Sequence, residues 1–184
     1  MELYVNKEAL QLDYSEDIKL MDREGNRLSF GIFIDEDRDI IGNAKLMIQD
    51  LLKDQLAMPL SFSAGTKAYL GLVNDPKDED VFAIAPGVGA RFDIPIILGM
   101  PMYVDADFFY APEILTFGNA DNVVDFTTRF EVDFLPSLTA FIGYRILRFD
   151  MEDTGKHNFD KSFHLGMRYS FGSISQNSEH NTNP

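Results

Sequence analysis

The stretch Lys161–Phe171 reads K-S-F-H-L-G-M-R-Y-S-F and alternates without a break between apolar and polar residues. Phe163 and Leu165 belong to the apolar row, whereas His164 and Arg168 belong to the polar row. Successive side chains of a β-strand point to opposite faces, so this segment is predicted to be a strand with one apolar and one polar face. Such a strand separates an apolar environment from a polar one.

The same two-residue period recurs along most of the chain. A shorter extended piece, Glu2–Val5, is separated from the next strand by Asn6 and Lys7. Single-chain bacterial barrels have even strand numbers, so we count this piece as a strand, which brings the total to ten. The other predicted strands lie within 9–14, 28–35, 40–48, 60–72, 82–93, 102–110, 124–134 and 138–147.

We therefore predict an all-β protein that folds as a closed antiparallel up-and-down transmembrane β-barrel of about ten strands, with eight as the alternative count. Residues 2–171 are expected to form this single domain, and the polar segment 172–184 is expected to be a disordered tail. Pro86 interrupts one predicted strand, and because proline cannot donate to a β-ladder it predicts a bulge or an edge there.

The connections between the predicted strands differ in character. Every second connection is polar, as at 35–39, 74–80, 111–120 and 150–160, whereas Leu135–Ser137 is very short. Long connections outside and short ones inside are typical of outer-membrane barrels. The connections near 16–25 and 50–57 are expected to be longer than minimal turns, and either could hold a short helical turn.

The composition excludes several classes of protein. The formal net charge is −14 and the pI is about 4.4, so the chain lacks the basic footprint that binding nucleic acid requires. There are no cysteines, so no disulfide framework or thiolate metal site is expected. The residues after Met1 do not form a secretory signal, so we expect an export signal to have been removed from an outer-membrane protein.

Periodicity alone does not say which face of the barrel is inside. Glycine accompanies charge in the polar rows, as Gly89 does with Arg91 and Gly143 with Arg145, which favours a narrow lumen filled by long polar side chains. We therefore expect the charged face to point inward and the apolar face to point to lipid. The alternative is a soluble lipocalin-like barrel that carries an apolar ligand, with its apolar face inward. Partitioning between water and detergent separates the two.

Two sets of side chains follow from this orientation. Aromatic residues near strand ends are predicted to form a lipid-facing girdle, as interfacial aromatics do: Tyr14, Tyr110, Phe134, Phe149, Tyr169 and Phe171. The inward charges are predicted to form a network of ion pairs in the lumen: Asp13, Lys45, Lys67, Arg91, Asp93, Asp105, Asp107, Asp125, Arg129, Glu131, Asp133, Arg145, His164 and Arg168.

A lumen filled in this way indicates a structural or a very narrow porin-like role, since the side chains of small barrels fill their interiors. His164 with the serines of its strand suggests a hydrolase triad, but no motif places a nucleophile beside a base, so no enzymatic activity and no cofactor or metal are expected. The acidic connections offer oxygen ligands for divalent ions. We expect them to share such ions with lipopolysaccharide.

Four segments are more specific than the alternation: Glu8–Tyr14, Tyr110–Asp121, the run Gly143-Tyr144-Arg145 and the closing F-x-L-x-M-x-Y-x-F pattern. In this order they resemble the YfaZ-type outer-membrane proteins of Gram-negative bacteria. The likeness covers nearly all of residues 2–171. It implies a small outer-membrane barrel inserted by the outer-membrane assembly machinery. Barrels of this kind typically end on an aromatic residue, whereas here Phe171 precedes a polar tail.

Overall fold

Eleven strands account for most of the described residues in the computed structural model of this chain, which describes residues 1–20, 23–36, 39–52, 59–73, 79–97, 99–151 and 155–171. One 3-10 turn, Glu113–Leu115, precedes the shortest strand. The strands are β1 Glu2–Val5, β2 Ala9–Leu20, β3 Arg23–Asp35, β4 Ile40–Ile48, β5 Leu60–Val73, β6 Glu79–Ile97, β7 Met100–Ala111, β8 Thr116–Gly118, β9 Ala120–Leu135, β10 Leu138–Met151 and β11 Gly155–Tyr169.

Ten of these strands close into an antiparallel barrel, in the order β1, β2, β3, β4, β5, β6, β7, β9, β10, β11. The four-residue β1 completes the ring, because Glu2 lies opposite Asp13 of β2 on one side and Arg168 of β11 on the other. The amide of Tyr169 donates to the carbonyl of Met1 at 2.8 Å, which extends this seam. The predicted barrel of ten strands rather than eight is confirmed, and it depends on counting β1.

Met1 and Tyr169 lie together at one end of the barrel, which we call the termini end; the opposite end is the far end. Contrary to expectation, the connection near residues 16–25 is short, because β2 continues to Leu20 and β3 begins at Arg23. The other connection expected to be long lies mostly outside the described residues, at 53–58. The described part of the chain contains no helix with the length and apolar character that crossing a membrane requires.

The far-end connection after β7 holds an element that the sequence pattern did not predict. The three residues of β8 pair with Val81, Phe82 and Ala83 of β6, outside the ring of ten. Pairing of β6 with β7 begins only at Gly87, so Pro86 lies between the part of β6 that pairs with β8 and the part that pairs with β7. A proline is tolerated there because no residue is opposite it on that side.

The two faces of the barrel differ sharply in character. On β11, Phe163 is 72% exposed and Leu165 61%, whereas His164 between them is 1% exposed. The apolar rows of the ring strands therefore point outward, and the polar rows point inward. A lipocalin-like barrel needs the reverse arrangement, with an apolar face around an internal ligand.

Candidate functional site: the charged interior

The interior is crossed near its middle by a buried network centred on Asp125 of β9. Its carboxylate accepts hydrogen bonds from Lys67 Nζ and Tyr69 Oη of β5, each at 2.8 Å. The guanidinium of Arg145 on β10 binds both oxygens of the same carboxylate, at 3.2 and 3.1 Å. Lys67, Asp125 and Arg145 are all buried. One carboxylate thus compensates two buried cations. Burying either cation without a counter-charge would be costly.

Arg145 continues this network to the opposite wall. Its Nη1 donates to Oε1 of Gln11 on β2 at 2.6 Å and to the hydroxyl of Tyr4 on β1. Gln11 in turn donates to Asp13 at 2.5 Å. The guanidinium carbon also lies 5.5 Å from the ring centre of Phe33 on β3. The chain of contacts therefore reaches from β5 to β2 by way of β9, β10 and β1, and we call it the septum.

A second cluster lies on the termini side of the septum and joins the seam strands to β9. Glu2 of β1 pairs with Arg129 at 2.6 Å and with Arg168 at 3.0 Å. Arg168 makes two parallel bonds to Glu131, at 2.8 and 2.6 Å. Bidentate pairing of this kind fixes geometry as well as charge. Glu131 is 1% exposed, so the cluster holds the short β1 in the wall by buried ion pairs as well as by its ladder.

Arg91 of β6 extends the second cluster along the wall. Its guanidinium lies 3.4 Å from Asp93 and 3.5 Å from Asp105, and its carbon lies 3.7 Å from the ring centre of Tyr103. The hydroxyl of Tyr103 donates to Asp133 at 2.9 Å. A guanidinium stacked on an aromatic ring and flanked by carboxylates is held in one orientation.

Towards the termini end the lumen widens into a polar vestibule of about 1050 Å³. Lys67, Asp125 and Arg145 lie in its lining on the septum side, and Met1, Tyr169 and Phe171 line it where the termini lie. Lys45 pairs with Asp107 across it at 3.3 Å. Its described lining carries eleven carboxylates and seven cationic side chains.

On the other side of the septum the interior is mostly apolar, although Asp160 is buried opposite Leu147. Ring contacts join Tyr69, Phe149 and Phe159, with centres 5.9 and 4.8 Å apart. The side chains that fill this far-end layer are no more than 6% exposed: Phe33, Ile41, Val81, Ala83, Ala85, Phe109, Ala111, Ala120, Val123, Leu147, Phe149, Met151 and Phe159. Septum and apolar layer together fill the interior towards this end.

The predicted girdle is wrong at one residue, Phe149. It is fully buried in the far-end layer, although its place near the end of β10 led us to expect it on the outer face. The pleat decides: Phe149 follows Arg145 and Leu147 at intervals of two, so all three point inward. The other predicted girdle residues are not buried and are 43 to 71% exposed: Tyr14, Tyr110, Phe134, Tyr169 and Phe171.

Glycines make room for large inward groups, as their positions in the polar rows suggested. A Cβ at Gly89 would collide with the carboxylate of Asp107, and one at Gly143 would meet the imidazole of His164. His164 fits against the face of Tyr4, with ring centres 4.6 Å apart. Neither of its nitrogens has a hydrogen-bond partner within the described residues, so the structure places it outside the charge network.

The structure thus brings the predicted inward charges, apart from His164, into contact with one another or with polar neighbours. Sequence reasoning missed Glu2, Tyr4, Gln11, Tyr69 and Tyr103, which carry many of the links. Each lies in an inward row, so its position in the two-residue period was the signal that could have identified it. The expected acidic ion-sharing connections fall largely on residues 37–38, 74–78 and 152–154, outside the described residues. In the part that is described, no group of three or more acidic or histidine side chains is arranged to hold a metal ion.

Fold and interior together define a closed ten-stranded antiparallel barrel with an inward charge network and an outward apolar face. A comparison with curated proteins gives no match. The profile of one protein family, described as YfaZ precursor, matches residues 4–171. The chain belongs to the YfaZ family.

Proposed function

We propose that this protein is an outer-membrane β-barrel with a structural role and a closed lumen. The observation that carries the proposal is the exposed apolar belt around the whole ring. Soluble monomers rarely expose contiguous apolar surface of such extent, whereas barrels in lipid require it. Every ring strand contributes exposed apolar side chains, for example Leu3, Leu12, Ile32, Ile40, Leu70, Val88, Phe108, Phe130, Ile142 and Phe163.

The family supports the location. Its description as a precursor fits a protein that is exported and processed, and the fold fits the outer membrane. The first strand begins and the last strand ends at the same end of the barrel, which matches the arrangement in which that end faces the periplasm and the far end faces the exterior. The soluble-carrier alternative gains no support, because its ligand would have to replace buried ion pairs such as Lys67 with Asp125.

A closed lumen is favoured over a narrow pore by the two layers that cross it. An ion that entered the vestibule would meet the buried pairs of the septum and then the mostly apolar layer around Phe149. Passage would require breaking both. The vestibule is therefore proposed to be a dead-end cavity on the periplasmic side.

The same observations favour a protein without enzymatic activity. His164 is the residue that most resembled a catalytic base. It is 1% exposed, and its ring nitrogens make no hydrogen bond to Ser162 or to any other described residue. Ser162 donates instead to Asp160 at 2.5 Å. The expected partners are membrane lipid, lipopolysaccharide with bridging divalent ions, and the assembly machinery of the outer membrane.

Refolding tests this proposal directly. Chain unfolded in urea is diluted into phospholipid vesicles, and the product is examined by gel mobility with and without boiling, since a folded barrel resists detergent and migrates anomalously. We expect a heat-modifiable band and co-flotation with the vesicles. A chain that stays monodisperse in buffer without lipid or detergent, and does not float, would contradict the proposal.

A further inference from the structure

Two basic side chains differ from the interior cations because they lie on the outer wall of the barrel. The interior cations point inward, but Arg148 of β10 and Lys161 of β11 lie in the outward rows with Ile142 and Phe163. Among the side chains that the structure describes on the barrel wall, these two are the only outward-facing cations. We call them the basic pair.

The register places the basic pair together. Lys161 lies opposite Ile146, and Arg148 is two residues further along the same face of β10, across the irregularity between Leu147 and Arg148. Diagonal neighbours on one face of an antiparallel pair lie within reach of long side chains. The two cations therefore border one patch of the outer surface on adjacent strands.

The patch lies at the edge of the apolar belt. Immediately towards the middle of the barrel, Tyr144 and Phe163 are in contact, with ring centres 5.0 Å apart. Aromatic residues followed by cations towards one end of a strand mark the passage from acyl chains to headgroups. Because β10 runs towards the far end and β11 returns from it, the basic pair lies on the far-end side of these rings.

The charges of the pair are only partly compensated. Arg148 Nε lies 3.1 Å from Asp150 Oδ1. Lys161 is exposed and has no ion pair within the described residues, in contrast to Lys45 and Lys67, each of which has a carboxylate partner. The chain as a whole has a net charge of −14, so a patch of positive charge on its outer face stands out and indicates a role at this place.

We propose that the basic pair binds the phosphorylated headgroup of a lipopolysaccharide molecule in the outer leaflet. Arg148 presents N–H donors in a planar fork and Lys161 a compact charge, and both suit phosphate oxygens. Basic residues near a membrane surface attract anionic headgroups. A headgroup with two phosphates on a disaccharide can engage both cations while its acyl chains cover Tyr144 and Phe163. This inference rests on the proposed membrane location.

Native mass spectrometry of the refolded full chain tests it, with bis-phosphorylated lipid A as the probe and EDTA present to remove bridging divalent ions. The R148Q/K161Q variant is expected to bind lipid A about tenfold more weakly than the wild type. The matched control is R27Q/K19Q, which removes the same charge at the termini end. It is expected to bind like the wild type.

Equal binding by wild type and R148Q/K161Q would overturn the proposal, as would an equal loss in the control variant. Phosphatidylglycerol bound as tightly as lipid A would also overturn it, because the site would then not select lipopolysaccharide. Each variant is first checked for the heat-modifiable band. A chain that forms no barrel in lipid contradicts the proposed function, whereas a folded barrel that binds lipid A independently of the pair contradicts this inference alone.

Discussion

Lys67 on β5 and Asp125 on β9 are joined by a 2.8 Å ion pair, although two strands of the wall, β6 and β7, lie between them. The pair therefore spans the interior rather than bridging neighbouring strands. Arg145 shares the same carboxylate at 3.1 Å. Two cations depend on one buried acid, which makes Asp125 the residue whose loss the interior tolerates least.

Replacing Asp125 by asparagine is expected to destabilise the barrel by about 3–5 kcal/mol, because Lys67 and Arg145 would remain buried without a counter-charge. Urea unfolding of the vesicle-bound protein measures this loss. D93N is the matched control, since the side chain of Asp93 is 57% exposed, and it should stay within about 0.5 kcal/mol of the wild type. Equal effects of the two substitutions would mean that Asp125 is not the centre of the network.

Phe149 tests the far-end layer. Its truncation to alanine leaves a cavity among buried rings, so we expect a loss of about 3–5 kcal/mol in the same unfolding measurement. Phe163→Ala is the control, because Phe163 lies outside at 72% exposure and its removal leaves no internal cavity. A larger effect at Phe163 than at Phe149 would place Phe149 on the outer wall after all.

A substitution at Leu165 tests the proposal that the outer face meets lipid. Leu165 is 61% exposed on β11 between Phe163 and Tyr169, and an arginine at the bilayer midplane costs about 2–4 kcal/mol on the lipid face of a barrel. L165R is expected to lower the yield of heat-modifiable barrel in vesicles, whereas L165M keeps the apolar surface and folds normally. Unimpaired folding of L165R in lipid would argue that this face does not meet acyl chains.

Gly143 tests the close packing of the lumen. A Cβ there would meet His164 Nε2 at 2.5 Å and the carbonyl of Thr128 at 2.7 Å, so G143V is expected to reduce folding severely. The double variant G143V/H164A should recover part of this loss, because one of the two obstacles is removed. Gly25 lies where a Cβ meets nothing within 4 Å, but its φ of +88° favours glycine, so it is not a neutral control. No recovery at all would show that the clash with the backbone dominates.

Much of this architecture was predictable from the two-residue period. The alternation of Phe163 and His164 along β11 separated the two faces, and the glycines beside charged residues indicated which face is inward. The parity of strand number made Glu2–Val5 a strand. Partners across the lumen, such as Lys67 and Asp125, were not predictable, because they depend on barrel radius and stagger rather than on local pattern. Phe149 was misplaced because nearness to a strand end was weighted above pleat phase.

The far-end layer escaped prediction for a related reason. Ile41 and Leu147 are apolar residues at inward positions of the two-residue period. Only the closed ring shows that such residues from different strands lie at the same height in the barrel. The three residues of β8 are too few for any period to emerge. The pairing of β8 with β6 arises from the tertiary fold.

Conductance across a planar bilayer tests the central claim, a closed membrane barrel, most directly. Refolded protein that gives the heat-modifiable band is added to one side, and current is recorded at about physiological salt with the voltage applied in both directions. We predict no single-channel events above the baseline of protein-free bilayers. Reproducible unitary conductance from the wild type would contradict a lumen closed by the septum and the apolar layer.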